Sequence, residues 1–255
     1  MMRFTPFAIA CFAVTTATAQ NWSVSQLSAG FGTSTHHVNQ RASERLFSLA
    51  PASVIPSQNL TGYSASHTAH ETSSFTSIQV HFIQDERAKY DLEREVRFGL
   101  LIHLGRKGGA KYEQQTPTDQ GVLIEQWIAH LLEDELGLNA DFLWRKHFDA
   151  FSFYSGIGGN MGIALGGEVQ QTRLVYYKDD PFVTNELFSN LNTTFPTGNS
   201  YYFRATIPIG VEYSFGQFDV GAEYGVGATF NKAGSHSNLF TSNVLSLRFG
   251  MELGG

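Results

Sequence analysis

The chain has 255 residues, 42% of them hydrophobic and 16% charged, with a mean hydropathy of −0.16 and a formal net charge of −6. The charge content is low for a soluble domain, where about 25% is usual, yet no run of roughly 18 apolar residues follows the N-terminus, which excludes a helical membrane protein. The acidic balance argues against nucleic acid as a partner.

Residues 1–19 read as a secretory signal. Met1-Met2-Arg3 opens it, an apolar stretch runs through Val14, and Ala17-Thr18-Ala19 precedes the expected cleavage before Gln20. Cys11 is the single cysteine and lies inside this segment; Ala8-Ile9-Ala10-Cys11 lacks the usual Leu of a lipoprotein signal. A mature chain of 20–255 is therefore expected to form one domain without disulfide or thiol chemistry. Without Arg3 it carries 16 basic and 23 acidic residues, a formal charge of −7.

The rest alternates apolar and polar residues in segments. Leu27, Ala29 and Phe31 oppose Gln26, Ser28, Gly30 and Gly32. Ile78, Val80 and Phe82 alternate with Ser77, Gln79 and His81. Val96, Phe98, Leu100, Ile102 and Leu104 follow, against Arg97, Gly99, Leu101, His103 and Gly105. Leu136, Leu138, Ala140, Phe142 and Trp144 interleave with Gly137, Asn139, Asp141, Leu143 and Arg145. Ser152–Leu165 sets Phe153, Ile157, Met161, Ile163 and Leu165 against Tyr154, Gly156, Gly158, Asn160 and Gly162. The last three segments, Phe203–Tyr213, Phe218–Phe230 and Leu245–Leu253, hold the pattern with almost no error. A period of two held for about ten residues is the length of a tilted strand that crosses a bilayer.

Eight strands result. Their short connections are Gln84–Glu93, Lys146–Asp149 and Ser214–Gln217. The long ones are Ser34–Thr72, Lys107–Glu135, Gly166–Ser200 and Asn231–Ser242. Strict alternation of short and long is the rule for periplasmic turns and outer loops. Within the second long connection, Leu123, Ile124, Trp127, Ile128, Leu131 and Leu132 have helical spacing, which predicts a short amphipathic helix in an outer loop. An extra strand pair turning at Glu133-Asp134-Glu135 is the competing reading.

Alternation alone does not say which face is apolar. The polar face decides: all six lysines (Lys89, Lys107, Lys111, Lys146, Lys178, Lys232) fall in loops or at strand ends, and Gly, Ser, Thr, Asn and Gln dominate between them. A face in water carries Lys freely, whereas a crowded barrel interior wants glycine and paired ions. The expected fold is thus all-β, an eight-stranded antiparallel up-and-down transmembrane barrel with lipid outside. The opposite arrangement, a lipocalin-like soluble barrel with an apolar lumen, is the alternative.

Phe153-Tyr154-Ser155-Gly156-Ile157-Gly158-Gly159 and Ile209-Gly210-Val211-Glu212-Tyr213-Ser214-Phe215-Gly216-Gln217-Phe218-Asp219-Val220-Gly221, together with the export signal, resemble the small outer-membrane β-barrel domain of Bacteroidetes. That domain is similar in architecture to the OmpA/OmpX-type eight-stranded barrels. The resemblance runs from Trp22 to the end and implies an outer-membrane location in a Gram-negative bacterium. It also implies outer-membrane lipid as a partner, with periplasmic chaperones and the outer-membrane assembly machinery during biogenesis. Such barrels commonly end on an aromatic residue that this machinery recognises; here the chain ends Leu253-Gly254-Gly255, with Phe249 the nearest aromatic.

Arg97, His103, Asp141, Arg204, Glu212, Asp219, Glu223, Arg248 and Glu252 are expected to point inward as a paired ionic plug, with Arg204 and Arg248 bound to carboxylates among Glu212, Asp219, Glu223 and Glu252. No enzyme site, cofactor or metal is expected. His236-Ser237-Asn238 approximates the His-x-Ser-Asn of outer-membrane lipid A deacylases but is one residue short, and adjacent residues on a strand face opposite sides. His36, His37, His67 and His70-Glu71 in the first long loop lack a ligand spacing such as His-x-x-x-His. The leading expectation is a non-enzymatic barrel with an envelope structural or surface-contact role, engaging a surface ligand through loop 34–72. A lipid hydrolase and a narrow channel or hydrophobic-ligand conduit are the alternatives.

Overall fold

The computed structural model describes residues 22–37, 63–66, 71–84, 92–178, 191–233 and 236–253. They form ten strands: β1 (Trp22–His37), β2 (Ser64–Ser66), β3 (Glu71–Gln84), β4 (Glu93–Leu104), β5 (Arg106–Thr118), β6 (Gly121–Phe148), β7 (Phe151–Tyr177), β8 (Leu191–Phe215), β9 (Phe218–Ala233) and β10 (His236–Glu252). Eight of them close a ring in the order β6, β4, β3, β1, β10, β9, β8, β7 and back to β6, every pair antiparallel.

The stagger of this ring follows from its register. Partners taken in turn from Gln26 through His81, Arg97, Asp141, Gly158, Thr206, Gly227 and Ser242 return to β1 at His36, ten residues beyond the start. Eight strands with that shear tilt by roughly 40° and enclose a radius of about 8 Å, taking a strand spacing of about 4.8 Å and a rise of about 3.3 Å. Such a lumen is just wide enough for side chains to fill.

The polarity is inside out. Ile157 is 62% exposed and Leu138 61%, whereas Arg97 is 0% and Arg204 1% exposed. Along Phe151–Ile157 exposed and buried residues alternate without a break. The polar set therefore lines the lumen and the apolar set the outside, an arrangement that is stable only with hydrocarbon around it. A lipocalin-like barrel would bury these same apolar side chains, so that alternative is overturned. At the lower rim the apolar face ends in contacting aromatics, Phe148 with Phe153, Phe151 with Tyr213, and Phe215 with Phe218.

The expected course of the second long connection, Lys107–Glu135, is corrected. No helix forms over 119–135. Leu123–Leu132 lies in β6, hydrogen-bonded to β5 on one side and β7 on the other. The turn of the extra hairpin is at Thr118–Gly121, not at Glu133-Asp134-Glu135. Parity survives because β5 continues the path of β4. The chain breaks only at Gly105, whose φ of 113° is a conformation that favours glycine. At the same height β6 loses register between Leu132 and Asp134, and Gly166 in β7 takes a φ of 64°. Above these kinks β5, the first half of β6 and the upper parts of β7 and β8 continue as a blade, edged by β2 on β5. The twelve or so residues per strand above the kinks raise it about 30 Å beyond the barrel rim.

Candidate functional site

The lumen is organised in three layers. In the lowest, Glu95 on β4 is surrounded by nitrogen groups: His81 Nδ1 at 2.7 Å, Arg97 Nε at 2.6 Å and Arg145 Nη2 at 2.7 Å. Arg145 also donates to Glu212. Arg97 Nη1 and Arg248 Nη2 both donate to Glu223 Oε2, at 2.9 and 2.7 Å. Tyr154 stands at the centre, its ring 4.4 Å from the Arg97 guanidinium, 5.2 Å from that of Arg145 and 5.9 Å from that of Arg248. Three arginines thus face three glutamates around one aromatic ring, which settles the charge locally and satisfies most of the guanidinium donors. Below them Gln26 Nε2 donates to Asp219 at 2.6 Å.

The middle layer is a polar cavity of about 60 Å³ bordered by Gln79, Asn139, Asp141, Asn160, Arg204 and Arg248. It has room for a few waters and no more. Asn139 Nδ2 donates to Asp141 at 3.3 Å, while Gln79 Oε1, Asn139 Oδ1 and Asn160 Oδ1 meet no partner among the described residues. The upper layer borders the cavity through His103 and Arg204. His103 Nδ1 lies 3.0 Å from Glu135, Arg204 Nε donates to Thr229 at 2.9 Å, and Glu133 accepts from Ser200 and Asn231 at 3.0 and 3.1 Å.

Small residues make room for these side chains. Tyr154 lies against Gly210, its register partner, so closely that a Cβ there would fall 2.2 Å from the ring. Asp141 covers Gly158 in the same way, and Tyr202 covers Gly137. Tyr154 and Asp141 each face a glycine on the neighbouring strand and Tyr202 one two strands away, which accounts for these inner-face glycines.

Among the residues expected inside, the structure places Arg97, His103, Asp141, Arg204, Glu212, Asp219, Glu223 and Arg248 in the lumen. Glu252 is not there: it is exposed at the lower end of β10, where its backbone N–H donates to Gln217 O at 2.9 Å. The pairing also differs in detail. Arg248 binds Glu223, but Arg204 binds none of the four carboxylates named for it; its nearest is Glu135, at 3.9 Å. Asp219 pairs with an amide rather than an arginine. Glu95, Arg145 and Tyr154 form the centre of the network without having been singled out. The period itself marks them, since Glu95 is in phase with Arg97 and Arg145 in phase with Asp141.

Replacing Arg248 with Leu is expected to cost roughly 2–3 kcal/mol, because Glu223 keeps Arg97 but loses its shorter ion pair. A lower temperature of conversion from folded to unfolded gel mobility checks this; an unchanged temperature counts against the network.

The blade is built as well. Gln126 Nε2 donates to Glu113 at 2.9 Å and to the Tyr176 hydroxyl at 2.7 Å. Arg173 bonds Glu125 at 2.8 Å and lies 5.4 Å from the Trp127 ring. The amide of Gln115, donating to Glu113, holds that carboxyl below the usual carboxylate range. Most of loop 34–72 lies outside the described residues, as do the side chains of His36, His37, His67, His70, His236 and Ser237.

The sequence matches no protein-family model and no curated protein. Among solved structures it is similar to neisserial surface protein A, at 10% identity and a TM-score of 0.39, over 92% of this chain and 100% of that one. It is also similar to Ail, the attachment invasion locus protein of Yersinia pestis, in complex with the heparin analogue sucrose octasulfate (8% identity, TM-score 0.30, 91% and 100% covered). A third is the translocator domain of the autotransporter NalP from Neisseria meningitidis (8% identity, TM-score 0.20, 96% and 94% covered). A closed ring of eight strands with ions inside and apolar side chains outside is the architecture of the small outer-membrane barrels of the OmpA/OmpX type.

Proposed function

We propose that this chain is a non-enzymatic outer-membrane barrel that holds a stiff β-blade away from the cell surface for contact with extracellular partners. The observation that carries the reading is the unequal extent of the two ends. Below, strands are joined by turns as tight as Phe148–Phe151 and Phe215–Phe218; above, β6 and β7 run to 28 and 27 residues. A membrane span needs only about ten. The ion layers favour a plug over a pore: the lowest layer fills the cross-section with three arginines, three glutamates and a tyrosine. The signal over 1–19, secretion before Gln20 and engagement of the assembly machinery belong to the same proposal.

An epitope inserted between Asp119 and Gln120, at the β5–β6 tip, is expected to be labelled by antibody on intact cells. The same epitope at Gly216, in the β8–β9 turn, is expected to be labelled only after permeabilisation. Labelling of Gly216 on intact cells would reverse the orientation and remove the surface role. A lipid hydrolase is tested separately by mass spectrometry of lipid A on overexpression, where the expected result is no change.

A further inference from the structure

The outer wall of the barrel is not apolar to the same height all round. Because a perpendicular path climbs ten residues per circuit of eight strands, equal heights on neighbouring strands are offset by about 1.25 residues. Aligned in this way, the outward positions of two successive tiers divide the wall in two. On β4, β6, β7, β8 and β9 the lower tier is Ile102, Leu138, Met161, Ala205 and Val226, and the upper tier Leu104, Leu136, Ile163, Phe203 and Ala228. On the contiguous strands β10, β1 and β3 the lower tier is Asn243, Thr33 and Thr76, and the upper tier Thr241, Thr35 and Ser74. Thr33, Ser74, Thr76 and Thr241 are exposed, and Thr35 and Asn243 partly so. The last described apolar residues below this window are Leu245, Phe31 and Ile78, and above it only Leu239. At the lower rim the two walls end together. The apolar belt is thus about 12 Å shorter on the β10–β1–β3 wall than on the opposite one.

Hydroxyl and amide side chains over two adjoining tiers are a poor match for hydrocarbon, where water cannot complete their hydrogen bonds. None of the six is ionic, so the surface suits uncharged donors and acceptors rather than phosphate. Resting on the outer-membrane reading above, we infer that the β10–β1–β3 wall draws the polar interfacial layer of the outer leaflet, its hydroxyl and ester groups and their water, down to Thr33 and Thr76. The bilayer is thinned on one side of the barrel only.

Site-directed spin labelling of the full chain in dioleoylphosphatidylcholine vesicles tests this, with Cys11→Ala keeping each label unique. Thr33→Cys and Thr76→Cys are compared with Leu138→Cys and Val226→Cys at matched height, and Ile157→Cys marks the belt centre. Each variant is first checked for heat-dependent gel mobility, and the probes are oxygen, which enters hydrocarbon, and a water-soluble nickel chelate. The expected result is nickel contact several-fold higher at positions 33 and 76 than at 138 and 226. Equal, low nickel contact at all four overturns the inference and leaves the barrel reading intact. Shielding of 33 and 76 from both probes also overturns it, since protein, such as a second copy, would then cover the window. Nickel contact at 157 as high as at 33 overturns the membrane reading itself.

Discussion

Glu95→Leu should be the most destabilising single replacement of an ionic side chain in this barrel. Glu95 is fully buried and lies within 2.8 Å of His81, Arg97 and Arg145. Its removal leaves these groups crowded together without the carboxylate that separates them. Breaking one buried pair costs about 3–5 kcal/mol, and Glu95 serves several partners, so the upper end of that range is expected. Arg97 and Arg145 retain Glu223 and Glu212, which limits the loss. The double variant Glu95→Leu, Arg145→Leu should be less destabilised than the two single losses added together, because it removes a cation with the anion. Urea unfolding in micelles, followed by gel mobility, reads all three; strict additivity would mean that the two groups do not interact.

Gly210→Val should prevent closure. A Cβ at this position lies 2.2–2.6 Å from three atoms of the Tyr154 side chain, and that ring is held among three arginines. The ring cannot move without displacing the guanidinium groups packed against it. Overpacking of a filled interior typically costs about 1–3 kcal/mol, and here disruption of the ion layer adds to it. The expected result is little or no folded band after refolding. Adding Tyr154→Gly to the same chain removes the clash, and a folded band should return, less heat-stable than the parent. A folded band from Gly210→Val alone would show that Tyr154 has somewhere else to go.

The barrel was legible in the sequence because each of its strands separates two media. Where one face meets hydrocarbon and the other ions, alternation is strict, as in Phe203–Tyr213 and Phe218–Phe230. The blade departs from this pattern for the same physical reason. There Ile124 and Trp127, on opposite faces of β6, are both 5% exposed, and Ala129 is 0% exposed. With both faces covered the period of two disappears. Residues four apart share a face in a strand as in a helix, so Leu123, Trp127 and Leu131 beside Ile124, Ile128 and Leu132 imitate helical spacing. Glu95 escapes the pattern because it sits just outside the apolar run that marks its strand, and Glu252 keeps the inward phase yet lies outside the lumen because the period continues past the last turn of the ring. Which cation meets which carboxylate depends on the shear, and that emerges only when the ring is closed.

On the proposed reading the barrel is closed, turned inside out and seated in the outer membrane. Gel mobility of the protein recovered from the outer-membrane fraction, with and without boiling, tests it most directly. The expected result is recovery in that fraction and a fast-migrating unheated band that slows on boiling. Recovery as a soluble periplasmic protein with one mobility under both conditions would contradict it.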